Sequence, residues 1–238
     1  MEPYDARQNR LLASLPDAEW QRWKSRLEPV DLPQGTVVHE AGAKRSFVYF
    51  PTSAIFSMLY VLSDGSSVEI AVVGFEGLLG GCTFLGDGTT PTSAVVLSAG
   101  MAYRLPAELL KAEFERSCAV RHLMLRYSQA LITQMSQTAV CNRHHKLENQ
   151  LSRWLLLCLD RSITDELVVT QKLIADMLGV RREGVTEAAH KLQAAGLIRY
   201  ARGHIWVLDR PGLERHTCEC YQIVKDEYDR LLPALEAV

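Results

Sequence analysis

No glycine or proline stands between Pro106 and Gly179, and that gap divides the chain into parts that must fold by different rules. Without either residue nothing interrupts a helix, so long helices are expected there. Before the gap, residues 30–105 hold most of the glycines, with short β-branched and aromatic runs at 36–39, 47–50, 54–62, 68–73, 94–98 and 101–105. Turn signals at Leu32-Pro33-Gln34-Gly35, Ser63-Asp64-Gly65 and Gly86-Asp87-Gly88 separate these runs at the close spacing of a barrel or sandwich. This part reads as all-β. Ahead of it, Leu11, Leu12, Leu15, Trp20, Trp23 and Leu27 recur at near-helical spacing and predict short helices packed against the roll.

Within the gap, Val120, Leu123, Met124, Tyr127, Ala130, Leu131, Gln134, Met135 and Thr138 recur at intervals of three and four. A helix over 117–141 would be roughly 37 Å long, more than a small barrel covers. A two-fold dimer seam is therefore expected at Val120, Leu123, Met124, Tyr127, Leu131, Gln134 and Met135. A second helix over 145–161 carries Leu147, Leu151, Trp154, Leu155 and Leu159, and the charged stretch 142–146 reads as a hinge. The expected units are 1–115 (β-roll with N-terminal helices), 116–142 (dimerisation helix and hinge) and 143–238 (C-terminal domain).

The segment from Thr170 carries the function. Ala175, Gly179 and Val185 stand where two helices joined by a tight turn need a small crossing residue, a glycine tolerating positive φ and an apolar anchor. Ile174, Leu178, Val180, Ala188 and Leu192 fill the apolar positions around them, Thr170 is a good N-cap, and Gly196 is a good stop. Beyond it, two short strands around Arg202-Gly203 read as a β-wing, which makes the unit a winged helix-turn-helix. Its second helix is expected in the major groove of double-stranded DNA. Arg182 is the expected reader of guanine and Glu183 of cytosine, with Thr186 and Glu187 on the same helix. Thr170, Gln171, Arg181, Arg202 and His204 are the expected phosphate contacts.

Charge distribution supports this division. Residues 28–113 hold nine acids against four bases, a balance of −5, while residues 170–210 hold seven bases against four acids, a balance of +3. The C-terminal part is the natural partner of a polyanion. Residues 1–10 are polar, with no apolar core of a signal peptide, and no stretch is long and apolar enough for a membrane span, so a cytoplasmic protein without membrane contact is expected. The six cysteines are scattered, and reduced thiols are expected. No nucleophile-base motif, phosphate loop or His-Glu metal signature marks an enzyme. Cys218-x-Cys220 with His216 lacks the two further ligands of a closed zinc site, so no metal and no cofactor are expected. His144 and His145 read as solvated hinge residues. The alternative function is a redox- or metal-responsive sensor acting through protein contacts, motivated by the cysteines and seven histidines.

Taken together, the chain resembles the Crp/Fnr superfamily of bacterial regulators. The resemblance rests on Asp64-Gly65 with Glu69, Val73-Gly74 and Glu76-Gly77, and most specifically on 175–192 with Gly196-Leu197-Ile198. It implies an α+β fold: an N-terminal cyclic-nucleotide-binding-like β-roll (a double-stranded β-helix or jelly roll), a long dimerisation helix and a C-terminal winged helix-turn-helix. It implies a homodimer on a palindromic site, with RNA polymerase as a further partner. The sequence departs from the pattern where Glu187 replaces an expected Arg, so the family's usual half-site does not carry over. It departs again in the roll: Gly80-Gly81-Cys82 lacks the Glu, and Thr92 replaces the Arg, that hold cyclic AMP in relatives. An unidentified small-molecule effector is expected at Gly80, Gly81, Thr92, Ser93 and Tyr127. The N-terminal cysteines of iron-sulfur members are also absent.

Overall fold

The computed structural model describes residues 5–162 and 164–232; residues 1–4 of the polar N-terminal segment lie outside them. After a single 3-10 turn come two short helices, α1 (Arg10–Ala13) and α2 (Asp17–Trp23). Asn9 starts α1: its side-chain oxygen accepts from the N–H groups of Leu11 and Leu12, while its amide donates to the carbonyls of Pro51 and Gly77. One buried side chain thus caps a helix and pins it to the roll.

The roll comprises β1 (Glu28–Leu32), β2 (Val37–His39), β3 (Phe47–Pro51), β4 (Ile55–Val61), β5 (Ser67–Val73), the short helix α3 (Cys82–Leu85), β6 (Ser93–Ser98) and β7 (Gly100–Pro106). Its strands pair antiparallel in two sheets, ordered β1-β7-β3 and β2-β6-β4-β5. Leu32, Ala54, Phe56, Val73, Leu79, Ala94, Val96 and Ala102 form the core between the sheets. Strand β1 was not anticipated; it contains Pro29, and as an edge strand it tolerates the missing N–H.

Helix α4 (Ala107–Arg116) leads into α5 (Cys118–His144), whose 27 residues span about 40 Å. The Ser117 hydroxyl accepts from the Val120 N–H and caps α5. The helix runs through most of the expected hinge and breaks only at His145 and Lys146. Then follow α6 (Leu147–Leu159), β8 (Glu166–Val168), α7 (Gln171–Leu178), α8 (Arg182–Ala194), β9 (Ile198–Ala201), β10 (His204–Val207), α9 (Arg210–His216) and α10 (Glu219–Leu231). The wing is a three-stranded sheet, β8-β10-β9, rather than the expected two strands.

The expected dimer seam needs correction. Val120, Met124, Tyr127 and Gln134 are at most 1% exposed, buried within their own chain. The roll and α10 cover this stripe: Tyr127 donates to the Leu78 carbonyl at 2.7 Å, and Gln134 to the Val72 carbonyl at 3.0 Å. Leu123, Leu131 and Met135 are half-buried at its margins. Gly77 allows this approach, since a Cβ there would fall 2.4 Å from the Tyr127 ring. An apolar stripe shows that a helix is covered, not what covers it, and here its own roll and α10 take the centre of the stripe. The opposite face is exposed and carries His122, Leu125, Gln129, Ile132, Ser136 and Ala139, at alternating intervals of three and four.

Candidate nucleic-acid interface and effector cavity

Helices α7 and α8 are set against each other by the turn between them. Thr170 Oγ1 accepts from the Leu173 N–H at 3.2 Å and starts α7. Gly179 ends it at φ 64°, a conformation that disfavours side chains. Val185, Ala188 and Leu192 are buried on the inner face of α8. Its outer face presents Arg182, Glu183, Thr186 and Glu187, all exposed, with exposed Arg181 at the N-cap.

A cleft of about 340 Å³ beside that face is lined by Thr170, Gln171, Arg182, Tyr200, Ala201, Arg202 and Gly203. The start of α7, the start of α8 and the wing tip therefore meet. The Thr186 hydroxyl lies 3.0 Å from Gln171 Oε1, tying the two helices at their outer edge. Arg202 takes φ 51° in the wing turn, which holds it at the tip. Arg181, Arg182 and Arg202 make no ion pair among the described residues, so their charge is free for an external anion. One sequence-derived contact is placed differently. His204 Nδ1 faces Glu166 Oε1 at 2.5 Å and its ring stacks on Trp206, so it is engaged inside the wing sheet rather than in the cleft. Glu187 pairs with Lys191 at 3.0 Å, and that lysine also reaches Glu148 of α6. Sequence reading missed His190, exposed one turn beyond Thr186 on the same face and findable from helical period alone. It also missed Tyr200, whose hydroxyl donates to the Val169 carbonyl and for which no local signal exists.

In the roll, a cavity of about 360 Å³ brings together Gly80, Gly81, Thr92 and Tyr127 with Arg45, Cys82, Leu131 and Met135. Ser93 is not among its lining residues; its hydroxyl accepts from the Ala41 N–H instead. Arg45 is the residue the sequence did not offer. Its guanidinium donates to Cys82 Sγ at 2.7 Å and contacts His39. Burial and that cation together pull the His39 imidazole down to about 4, so it is neutral at pH 7. Among the described residues that line the cavity the one cation is Arg45, from the loop after β2, while Thr92, just before β6, stands where the arginine was expected. Its wall is shared with α5, through Tyr127, Leu131 and Met135.

The wing-bearing domain docks directly on the roll. Trp154 of α6 donates its indole N–H to Glu69 at 2.9 Å, Gln34 donates to the Val168 carbonyl at 2.7 Å, and Ser57 touches Met177 Sδ at 3.1 Å. A buried ion pair, Arg161 Nε to Glu76 Oε1 at 2.7 Å, closes the junction deeper in. At the hinge, the expected shortage of metal ligands does not hold. His216 faces Ser152, while Cys141 and His145 join Cys218 and Cys220, with ligand atoms all within 4.8 Å of one another. His145 is accordingly half-buried rather than solvated, whereas His144 is exposed.

Comparison with known proteins follows the same division. The family model of the Crp-like helix-turn-helix domain matches residues 149–216, and that of the cyclic nucleotide-binding domain matches residues 29–117. Together they span more than half of the chain. A crystal structure of a putative transcriptional regulator of the Crp/Fnr family from Eubacterium rectale superposes with a TM-score of 0.67 at 19% identity, covering 89% of this chain and 97% of that one. FixK2 from Bradyrhizobium japonicum gives 0.67 at 15% identity, covering 81% and 98%. A CRP-family regulator from Thermus thermophilus gives 0.66 at 18%, covering 79% and 95%. No curated protein sequence matches the chain.

Proposed function

The chain belongs to the Crp/Fnr superfamily of transcription regulators, and from that premise we propose that it acts as a homodimer on a two-fold DNA site, under the control of a small molecule bound in the roll. A DNA-binding helix-turn-helix is part of the family assignment; the finer reading rests on the geometry. Its principal support is the outer face of α8, where Arg182 lines one cleft with Arg202 of the wing and exposed Arg181 stands at the N-cap, none of the three in an ion pair among the described residues. Laid in a major groove, this face puts Arg182 against base edges, where its fork can bond guanine O6 and N7. Glu183, Thr186 and Glu187 follow along the groove. Thr170, Gln171, Arg181 and Arg202 reach the flanking phosphates.

The dimer seam is assigned to the exposed heptad face of α5, with Leu125 and Ile132 as its apolar core. The functional units are the roll (1–115), the long helix with its hinge (116–142) and the winged helix (143–238). An occupant of the roll cavity would touch α5 at Tyr127, Leu131 and Met135, and so bias the helix that carries the seam. Arg45 favours an anionic occupant, held differently from cyclic AMP in relatives because Thr92 stands in place of their arginine. Such a protein works in the cytoplasm, where RNA polymerase is available as a partner.

Sedimentation of the full chain with a duplex bearing a two-fold site tests this reading. Two chains per duplex are expected; one chain per duplex at saturation would overturn the dimeric form of it.

A further inference from the structure

We propose that Cys141, His145, Cys218 and Cys220 form a tetrahedral site for a divalent metal of zinc type, built between the end of the long helix and the start of the last one. Cys141 and His145 are four residues apart on either side of the α5 terminus, and Cys218 and Cys220 flank the first residue of α10. The Sγ atoms of Cys141 and Cys218 are 3.5 Å apart, and Cys220 Sγ is 3.6 Å from His145 Nδ1. Ligands around tetrahedral zinc, at about 2.3 Å for sulfur and about 2.0 Å for nitrogen, stand roughly 3.5 to 3.8 Å from one another. Two of the pairs already have the spacing that coordination imposes, and all four ligand atoms lie within 4.8 Å of one another. Three thiolates and an imidazole are a donor set that suits zinc rather than magnesium or calcium.

The surroundings complete the design. His145 turns Nδ1 to the cluster and Nε2 to the Glu219 carboxylate at 3.4 Å, the outer contact that fixes tautomer and orientation in metal-bound histidines. The Gln150 amide donates to the carbonyls of Cys141 and His145, at 3.3 and 2.9 Å, and locks the turn that carries both. Asn149 donates to the His216 carbonyl at 2.7 Å and anchors the segment that enters the Cys218 pair.

A second, independent observation is Arg153. It is 3% exposed, its Nε has no hydrogen-bond partner, and it makes no ion pair among the described residues. Its Nη1 donates to the Thr138 hydroxyl at 3.2 Å, a neutral partner that leaves the charge uncompensated by an ion pair. A divalent metal with three thiolates carries a net charge of about −1. That net charge is complementary to a buried guanidinium held in no ion pair among the described residues. Two sequence-distant segments would be joined by the ion, so that the dimer helix and the C-terminal helix move as one body.

The full chain, purified and kept in reductant, is titrated with zinc ion and separately with cobalt ion, and metal content is measured per chain. One ion per chain is expected, with the visible ligand-field and sulfur charge-transfer bands of tetrahedral thiolate-bound cobalt. Cys118→Ser, at an exposed cysteine outside the cluster, keeps both. Cys218→Ser lowers zinc affinity at least tenfold. Glu219→Gln, at a surface position that leaves the fold intact, lowers it about tenfold through the histidine. No bound zinc or cobalt in the folded wild-type chain overturns the proposal. So do an unchanged affinity in Cys218→Ser and a purified protein in which these cysteines hold a disulfide or an iron-sulfur chromophore instead.

Discussion

The indole N–H of Trp154 donates to the buried carboxyl of Glu69 at 2.9 Å, joining the first helix of the DNA-binding half to the fifth strand of the roll. Glu69 also contacts the Ser57 hydroxyl at 2.5 Å, and Ser57 in turn lies 3.1 Å from Met177 Sδ in α7. A hydroxyl has one proton, so Ser57 cannot donate to both neighbours. With Glu69 protonated every contact is satisfied: the carboxyl donates to Ser57, Ser57 to the thioether, and Trp154 to the remaining carboxyl oxygen. Burial agrees, pushing the Glu69 carboxyl up to about 7 against the opposing hydrogen bonds.

This raised value makes the junction sensitive to pH. Between about 4.5 and about 7 the folded chain retains a proton that the unfolded chain has lost, so stability from this group falls as pH rises and levels off above 7. The whole effect is roughly 3 kcal/mol. Glu69→Gln preserves the donor and acceptor pattern without the ionisation. Its thermal midpoint should match that of the wild type near pH 5 and exceed it by several degrees at pH 7.5. A difference independent of pH would refute this account of Glu69.

At the deeper contact, Arg161→Met leaves the Glu76 carboxylate buried with only the Gly74 N–H as partner among the described residues. A loss of about 3–5 kcal/mol is expected in urea unfolding. Arg161→Met combined with Glu76→Gln should recover much of it, because no charge is then stranded. The Arg161 guanidinium also lies over the Tyr228 ring, 5.3 Å from its centroid, and equal losses in the single and double variants would show that this packing, rather than charge, sets the cost.

On α5 the two faces should answer differently to substitution. Leu125→Asp with Ile132→Asp, both on the exposed heptad face, should give a folded monomer in sedimentation. Met124→Ala, on the buried face, should keep the oligomeric state and lose about 2–5 kcal/mol of stability. A dimer that survives the paired aspartates would place the seam elsewhere.

These contrasts show what was legible in the sequence. The helix-turn-helix could be read from Ala175, Gly179 and Val185 because each answers a local backbone or crossing requirement. Most roll strands could be read because Gly and Asp punctuate them. The face of α5 that meets the roll could not be assigned, since Val120 and Met124 look the same against a partner chain or the chain's own sheet. The Cys141 and His145 ligands were hidden for a related reason: they stand more than 70 residues from the Cys218 pair, and only the packing of α10 along α5 unites them. Arg45 was missed because the expected cation was sought at Thr92, and His204 was misplaced because its partner Glu166 belongs to a strand not anticipated.

The measurement that bears most directly on the account is selection of bound sequences from a random duplex pool by the purified full chain, alone and with a panel of cyclic mono- and dinucleotides. The account predicts recovery of a palindrome in at least one arm, and a penalty of about 1–3 kcal/mol in Arg182→Ala confined to one base pair of each half-site. Recovery of no sequence in any arm, by a chain shown to be folded and dimeric, would contradict it.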